Sequence, residues 1–488
     1  MRIVIAGGGT AGWIAAAALS HQMGELLDIT LVESEDIGTV GVGEATIPPM
    51  RTFHRLLGIN EREFMRATNA TFKLGIQFEN WRKIGDKYLH AFGTRGKNTI
   101  ITDFIHFWLR GRELGLANEF GDYSLENKAA IQGRFSLVNG ANVNYAFHLD
   151  AGRYASFLRE RAESCGVKRL EGKIAQVHQN SDSGYITSLQ MESGQELAGD
   201  LFIDCTGMKG LLIEESLKTG FEDWGHWLPC DSAIAVQTAP TEPPVPYTKS
   251  IAHHAGWRWQ IPVQNRVGNG TVFSSRYISD NEAKDVLLTS LDGETLTEPR
   301  VIKFKTGRRK KSWNKNCIAM GLSSGFLEPL ESTSIHMVMT AVTRLLQLFP
   351  HDGIKQSIVD EYNAQAKSEY ERIRNFIILH YKATERDDSP FWRYCRDMDV
   401  PSDLKHRMDL FRDFGRSYQV EGELFRLDSW TQVMLGQGIV PSSYHPMVAL
   451  MPESELKGLL DSIAEAVTEN VSMMSSHDDF VKRYCGSL

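Results

Sequence analysis

The chain has no apolar run near the ~18 residues that a membrane-spanning helix needs. It also has no C-x-x-C pair, its six cysteines (165, 205, 230, 317, 395 and 485) being scattered through 488 residues. That spacing excludes a zinc ribbon and a dense disulfide frame, and reads as reduced cytoplasmic thiols. Basic charge is not in excess. With 53 Lys and Arg against 61 Asp and Glu the net charge is −8, which offers a nucleic-acid backbone no footprint. Internal repeats, low-complexity tracts and an obvious linker are missing as well. "MRIVIAGGG" enters a strand at once, without the apolar region and cleavage site of a secretory signal. These absences predict a cytoplasmic protein with no membrane, nucleic-acid or resident-metal partner. A homodimer is left open.

What is present is a large, ordinary core: 42% of residues are hydrophobic and 23% charged. The first half alternates strands ("RIVIA", "DITLVE", "DLFIDCTG") with helices ("AGWIAAAALSHQM", "DAGRYASFLRERAESC"). "KIAQVHQNSDSGYITSLQMESGQEL" reads as a strand–turn–strand meander. From about Gly325 the spacing turns helical in "STSIHMVMTAVTRLLQLFP", "IVDEYNAQAKSEYERIRNFIILHYKATE" and "SELKGLLDSIAEAVTENVSMM". The pattern predicts an α/β fold with an antiparallel insertion, followed by a mostly helical module.

The first strand runs into "GGGTAGW", where Gly7, Gly9 and Gly12 form G-x-G-x-x-G, and Glu33 ends the next strand. Glycines at these places allow a tight turn, a backbone approach to a pyrophosphate and close helix–strand contact. The acidic residue can accept from a ribose hydroxyl. The second apolar strand, ending in Asp204 and Gly207, suits a loop that closes over FAD, although any strand-to-turn exit would look the same. "GTVGVGEATIPP" (residues 38–49) reads equally as a turn or a flavin contact. "NATFKLGIQFENW" (residues 69–81) places Lys73 among Phe72, Leu74, Ile76 and Phe78. A lysine there either snorkels to water or serves chemistry that wants a nitrogen in an apolar pocket.

Four segments together resemble the flavin-dependent halogenases of the tryptophan halogenase family: "GGGTAGW", "GVGEATIP", "GWRWQIP" and "GFLEPLESTSI". "GWRWQIP" carries the W-x-W-x-I-P signature as Trp257, Trp259, Ile261 and Pro262. Taken alone, it would be a core strand with both tryptophans on one face. The resemblance implies an FAD-dependent monooxygenase-like fold. A Rossmann-type module with its antiparallel insertion would span 1–345, and a helical substrate cap 346–488, with about 50–135 contributing to the substrate pocket. It implies FAD contacts at Gly7, Gly9, Thr10, Ala11, Gly12, Glu33, Ile37, Val40, Ala45, Ile174, Asp204, Gly207, Leu322 and Ile335. FAD would arrive as FADH2 from a separate NAD(P)H-dependent flavin reductase. With O2 and a halide ion, chloride or bromide, it would yield hypohalous acid.

By the same resemblance Lys73 is the lysine that receives hypohalous acid, and Glu331 the carboxylate that orients it and takes the ring proton. Glu331 would equally suit the dipole of the helix that follows. Halide would sit at Thr333 and Ser334, where the tryptophan-specific members carry glycine in place of the serine. His90 and Phe92 would sandwich the substrate ring. The stretch "SYQVEGELFRLDSWTQVMLGQG" is shorter than the family's amino-acid cradle, leaving Tyr418, Glu421, Glu423 and Phe425. Indole, an indole derivative or another electron-rich arene is therefore expected in preference to free tryptophan. The rivals are a flavin hydroxylase and a flavin-binding protein without turnover.

Overall fold

Strand Arg2–Ala6 is buried at every residue but the first, because parallel neighbours flank it and both its faces are covered. In the computed structural model, which describes residues 1–37, 43–137 and 143–486, this strand is central to a six-stranded sheet. The strand order is Trp313–Asn314, Cys317–Ala319, Leu201–Asp204, Arg2–Ala6, Asp28–Glu33, Lys168–Glu171. All neighbours pair in parallel except the first two strands. The expected meander is present as antiparallel strands Ile174–Gln179, Ile186–Met191 and Glu196–Ala198. Helix Thr10–Met23 buries Gly12 through Ser20 without a break, as its run of alanines permits.

The chain divides into two units, both discontinuous in sequence, whereas the expected modules 1–345 and 346–488 are each continuous. The first unit comprises Met1–Ala70, Leu149–His226 and Lys303–Glu371, and holds the parallel sheet. The second comprises Thr71–His148, Trp227–Ile302 and Arg372–Leu488. Its seven-stranded sheet begins with Arg300–Lys303 and runs on through Ser232–Thr238, Val267–Phe273, Gly256–Pro262, Tyr247–His253, Gly75–Glu79 and Lys87–Ala91. From Ser232–Thr238 onward the neighbours pair antiparallel, except Tyr247–His253 with Gly75–Glu79, which are parallel. Ser402–Phe414, Leu427–Gly436 and Glu453–Ser472 are among its helices. The expected helical stretches are borne out as Ser334–Gln347, Gln356–Lys382 and Glu453–Ser472. Among the described residues no helix is long and apolar enough to cross a membrane, and no His, Cys, Asp and Glu cluster could hold a metal.

Candidate active site

In the first unit the glycine turn is dictated atom by atom. Gly7 has φ +106°, and a Cβ on it would lie 2.3 Å from the Cys205 carbonyl oxygen. A Cβ on Gly12 would lie 1.9 Å from the Gly7 carbonyl oxygen. Gly9 differs: it N-caps helix Thr10–Met23 in extended geometry, and no described residue stands within 4 Å of where its Cβ would be. No side chain caps this helix start, so the N–H groups of Thr10, Ala11 and Gly12 remain for a ligand. Open space before an uncapped, positively polarised helix end fits a pyrophosphate.

Glu33 folds over the same turn, since a Cβ on Gly8 would fall 1.6 Å from its Oε2. Its carboxylate pairs with Arg169 and lies 3.7 Å from Arg159, while Trp13 Nε1 donates to it at 3.3 Å. Asp204 is fully buried and accepts five hydrogen bonds. Thr206 N, Thr206 Oγ1 and Ser323 Oγ donate to Oδ1, and Leu212 N and Ile213 N to Oδ2. Ser323 Oγ also lies 3.0 Å from the Gly207 carbonyl. One carboxylate thus fixes the loop after Gly207 and the loop carrying Leu322. That second loop closes on the helix start, because a Cβ on Gly321 would approach Ala11 Cβ to 2.8 Å. Ala45 and Ile335 are buried, Ile37 is exposed, and Ile174 packs on the core around Val4 and Val32. Val40 lies outside the described residues.

Glu44 was not singled out in the sequence, although "GVGEATIP" contains it. Desolvation pushes its carboxyl from 4.5 up to about 7. The folded apoprotein then keeps a proton that the unfolded chain gives up near pH 4.5. This stabilisation is complete below that value and is lost as pH rises through 7. Glu44→Gln cannot ionise, so the apoprotein variant is expected to be the more stable at pH 8, by at most about 3 kcal/mol. The gap should close by pH 4, as read from urea unfolding across pH. A gap that stays flat with pH would refute the shift.

Glu331 is 1% exposed and ends the turn Pro329–Glu331. Ser332 follows at φ +58°, then Thr333, whose Oγ1 is buried and makes no hydrogen bond among the described residues. Helix Ser334–Gln347 starts there without a side-chain cap. An orphan hydroxyl beside free N–H groups suits a small anion.

In the second unit Lys73 lies on strand Thr71–Lys73 and has no exposed surface, which overturns the snorkelling alternative. Its Nζ lies 5.2 Å from the Phe92 ring centre. The strand is pinned by Thr71, whose Oγ1 donates to the Pro262 carbonyl at 2.7 Å and lies 3.2 Å from His148 Nδ1. Burial and the Lys73 charge hold His148 well below the usual imidazole range, so the lysine has a neutral neighbour. His148 Nε2 lies 3.0 Å from Thr248 Oγ1, consistent with one neutral tautomer that donates from Nδ1.

The Trp257 and Trp259 rings, 6.1 Å apart, are buried, with Trp81 6.3 Å from Trp257. The W-x-W-x-I-P strand is thus core, and through Pro262 it also anchors the lysine strand.

His90 is 2% exposed on strand Lys87–Ala91. Its ring lies 5.6 Å from Phe376 and 6.3 Å from Phe425, and the two phenylalanines stack at 3.8 Å. Trp430 meets Phe376 edge-on at 4.8 Å. Phe376 and Trp430 were missed in the sequence, where they look like ordinary helix-face residues. Two of the residues thought available for gripping a substrate are already committed. Glu423 forms a buried ion pair with Arg407 at 2.9 and 3.2 Å, and also accepts from Val420 N and Trp430 Nε1. Arg407 lies between the rings of Tyr418, at 4.3 Å, and Trp430, at 3.9 Å.

A dinucleotide cradle in one unit and a buried lysine with an aromatic wall in the other define a flavin-binding oxidoreductase. The tryptophan halogenase family model matches residues 2–453. A tryptophan 7-halogenase from Lentzea aerocolonigenes is 34% identical, over 93% of this chain and 92% of that protein. Among solved structures, a flavin-dependent halogenase from Xanthomonas campestris superposes with a TM-score of 0.98 at 52% identity. It covers 100% of this chain and 99% of its own. One from Brevundimonas sp. BAL3 gives 0.95 at 43% identity, covering 99% of each chain. The chain belongs to the tryptophan halogenase family, and it is a flavin-dependent halogenase.

Proposed function

We propose that this enzyme receives reduced FAD from a separate NAD(P)H-dependent reductase in the cytoplasm. With chloride or bromide and O2 it halogenates an electron-rich arene such as indole, in preference to free tryptophan. When bound, reduced FAD supplies the two electrons with which O2 converts halide to hypohalous acid. The helix-start N–H groups around Gly9 hold the pyrophosphate, and Glu33 the ribose. Thr333, Ser334 and the uncapped helix end hold the halide. Lys73 hydrogen-bonds hypohalous acid or becomes a haloamine, Glu331 orients the oxidant and accepts the ring proton, and His90 and Phe92 stack on the ring.

The observation that carries the substrate reading is the buried Arg407–Glu423 pair. The curated relative from Lentzea aerocolonigenes is named for acting on tryptophan. Here the glutamate that could meet an ammonium is spent on Arg407, and Tyr418 covers that arginine. A zwitterion in an apolar pocket without partners is unfavourable. In a competition assay, indole should be consumed at least about tenfold faster than tryptophan, because a pocket lacking polar partners cannot reward the amino-acid end. NMR should locate halogen at indole's most electron-rich ring carbon. Tryptophan winning, with halogen on its benzo ring, would overturn the substrate reading. Oxygenated product formed without halide would indicate a hydroxylase.

A further inference from the structure

Three buried N–H donors close in sequence or packing to strand Lys87–Ala91 have no acceptor among the described residues. Arg95 and Gln432 are each only 4% exposed, and Arg95 Nε, Arg95 Nη1 and Gln432 Nε2 make no hydrogen bond among the described residues. The Gln432 amide cannot be turned round. Its Oε1 accepts from Ala91 N at 2.8 Å, which sends Nε2 elsewhere. Four residues earlier on the same helix, Asp428 Oδ1 accepts from Arg95 N at 3.2 Å. Residues i and i+4 share a helix face, so one face of Leu427–Gly436 grips the chain at Ala91 and again at Arg95. The orphan donors therefore belong to a single seam, and Phe92 lies between its two fastenings.

An orphan buried donor is costly, and an orphan guanidinium more so. Arg95 has charge neighbours, for Asp428 and Glu126 both act on it electrostatically, and the Phe120 ring centre is 5.4 Å from its Cζ. Neither carboxylate accepts from Nε or Nη1. Glu126 is occupied by Asn144, whose N and Nδ2 donate to its Oε1. What the seam lacks is acceptor atoms, not negative charge. A third carboxylate would overload a site that already holds two. A neutral oxygen would satisfy the donors without that repulsion.

We propose that Arg95 and Gln432 form a specificity subsite for a neutral carbonyl oxygen, such as an amide or lactam, carried by the aromatic substrate. The inference rests on the reading of His90 and Phe92 as the ring-binding pair. It names the substrate class further: an electron-rich arene with a carbonyl-bearing substituent.

The test compares indole-3-acetamide, indole-3-acetate and 3-ethylindole with the aerated enzyme supplied with FAD, a flavin reductase, NADH and bromide. The amide should exceed 3-ethylindole in kcat/KM by about tenfold or more, as for a site whose donors go unpaired with the wrong ligand. The acetate should not exceed the amide. Arg95→Met, and separately Gln432→Glu, which keeps the acceptor for Ala91 N, should bring the amide-to-ethyl ratio to near one. Calorimetric binding of the three compounds to the wild-type protein gives the same ranking without any variant. Equal binding of amide and ethyl compound, or a ratio that survives both substitutions, would overturn the subsite and leave the donors to internal water. Acetate binding best would overturn the neutral-carbonyl assignment. If none of the three is halogenated but the amide still binds best, the subsite stands and the arene reading of the pocket fails.

Discussion

Lys73→Ala is expected to bind FAD and oxidise FADH2 as the wild type does, while arene halogenation falls by roughly 10³-fold or more, as when a reacting nucleophile or proton donor is removed. The expectation rests on burial. An ammonium with no exposed surface is expensive to keep, and its neighbours are arranged to tolerate it. The Phe92 ring offers its face at 5.2 Å, and His148 is held neutral, so no second cation competes. The two halves of the reaction can be measured apart: loss of reduced-flavin absorbance reports the first, and mass spectrometry of the halogenated arene the second. A variant that still halogenates near the wild-type rate would remove Lys73 from the chemistry. One that fails to bind FAD would show that the lysine holds the structure instead.

Glu423→Ala should destabilise the protein by about 3–5 kcal/mol, because it strands Arg407 as a buried charge. It also strips the acceptor from Trp430 Nε1 and Val420 N. By contrast, Lys482→Ala should leave the urea midpoint nearly unchanged, since the Lys482 side chain is exposed to water. The double change Arg407→Met with Glu423→Leu should recover most of the loss, as apolar replacements of buried pairs commonly do. Urea unfolding of the four proteins is the measurement. A small loss for Glu423→Ala would mean that water reaches the pair. A double variant as unstable as the single one would locate the loss in the Trp430 and Val420 bonds.

The parts of this molecule that could be read from its sequence are those whose partners lie nearby in the chain. Gly7 and Gly12 answer to each other across five residues, so the turn, the helix and the strand were all legible. The segregation into two interleaved units was not. Strand Arg2–Ala6 pairs with Leu201–Asp204, and Gly75–Glu79 with Tyr247–His253, and pairings over such distances leave no local period. Lys73 was legible as an oddity. That its ammonium is out of reach of water became evident only from the packing of the whole second unit. Glu423 reads from the sequence as a residue open to substrate and Arg407 as an ordinary helix charge, and nothing in their neighbours along the chain shows that each is the other's counter-ion. The same is true of Arg95, whose lack of acceptors is a property of the fold alone.

The three glycines of the first turn do not all answer to the same master. Gly7 and Gly12 are required by the protein's own backbone, whereas Gly9 leaves room that no atom of the described residues uses. A lineage that lost the flavin would be obliged to keep the first and third and would be free to change the second. Position 9 is therefore a place in the turn where an added side chain would leave the strand, the helix and the two required glycines undisturbed.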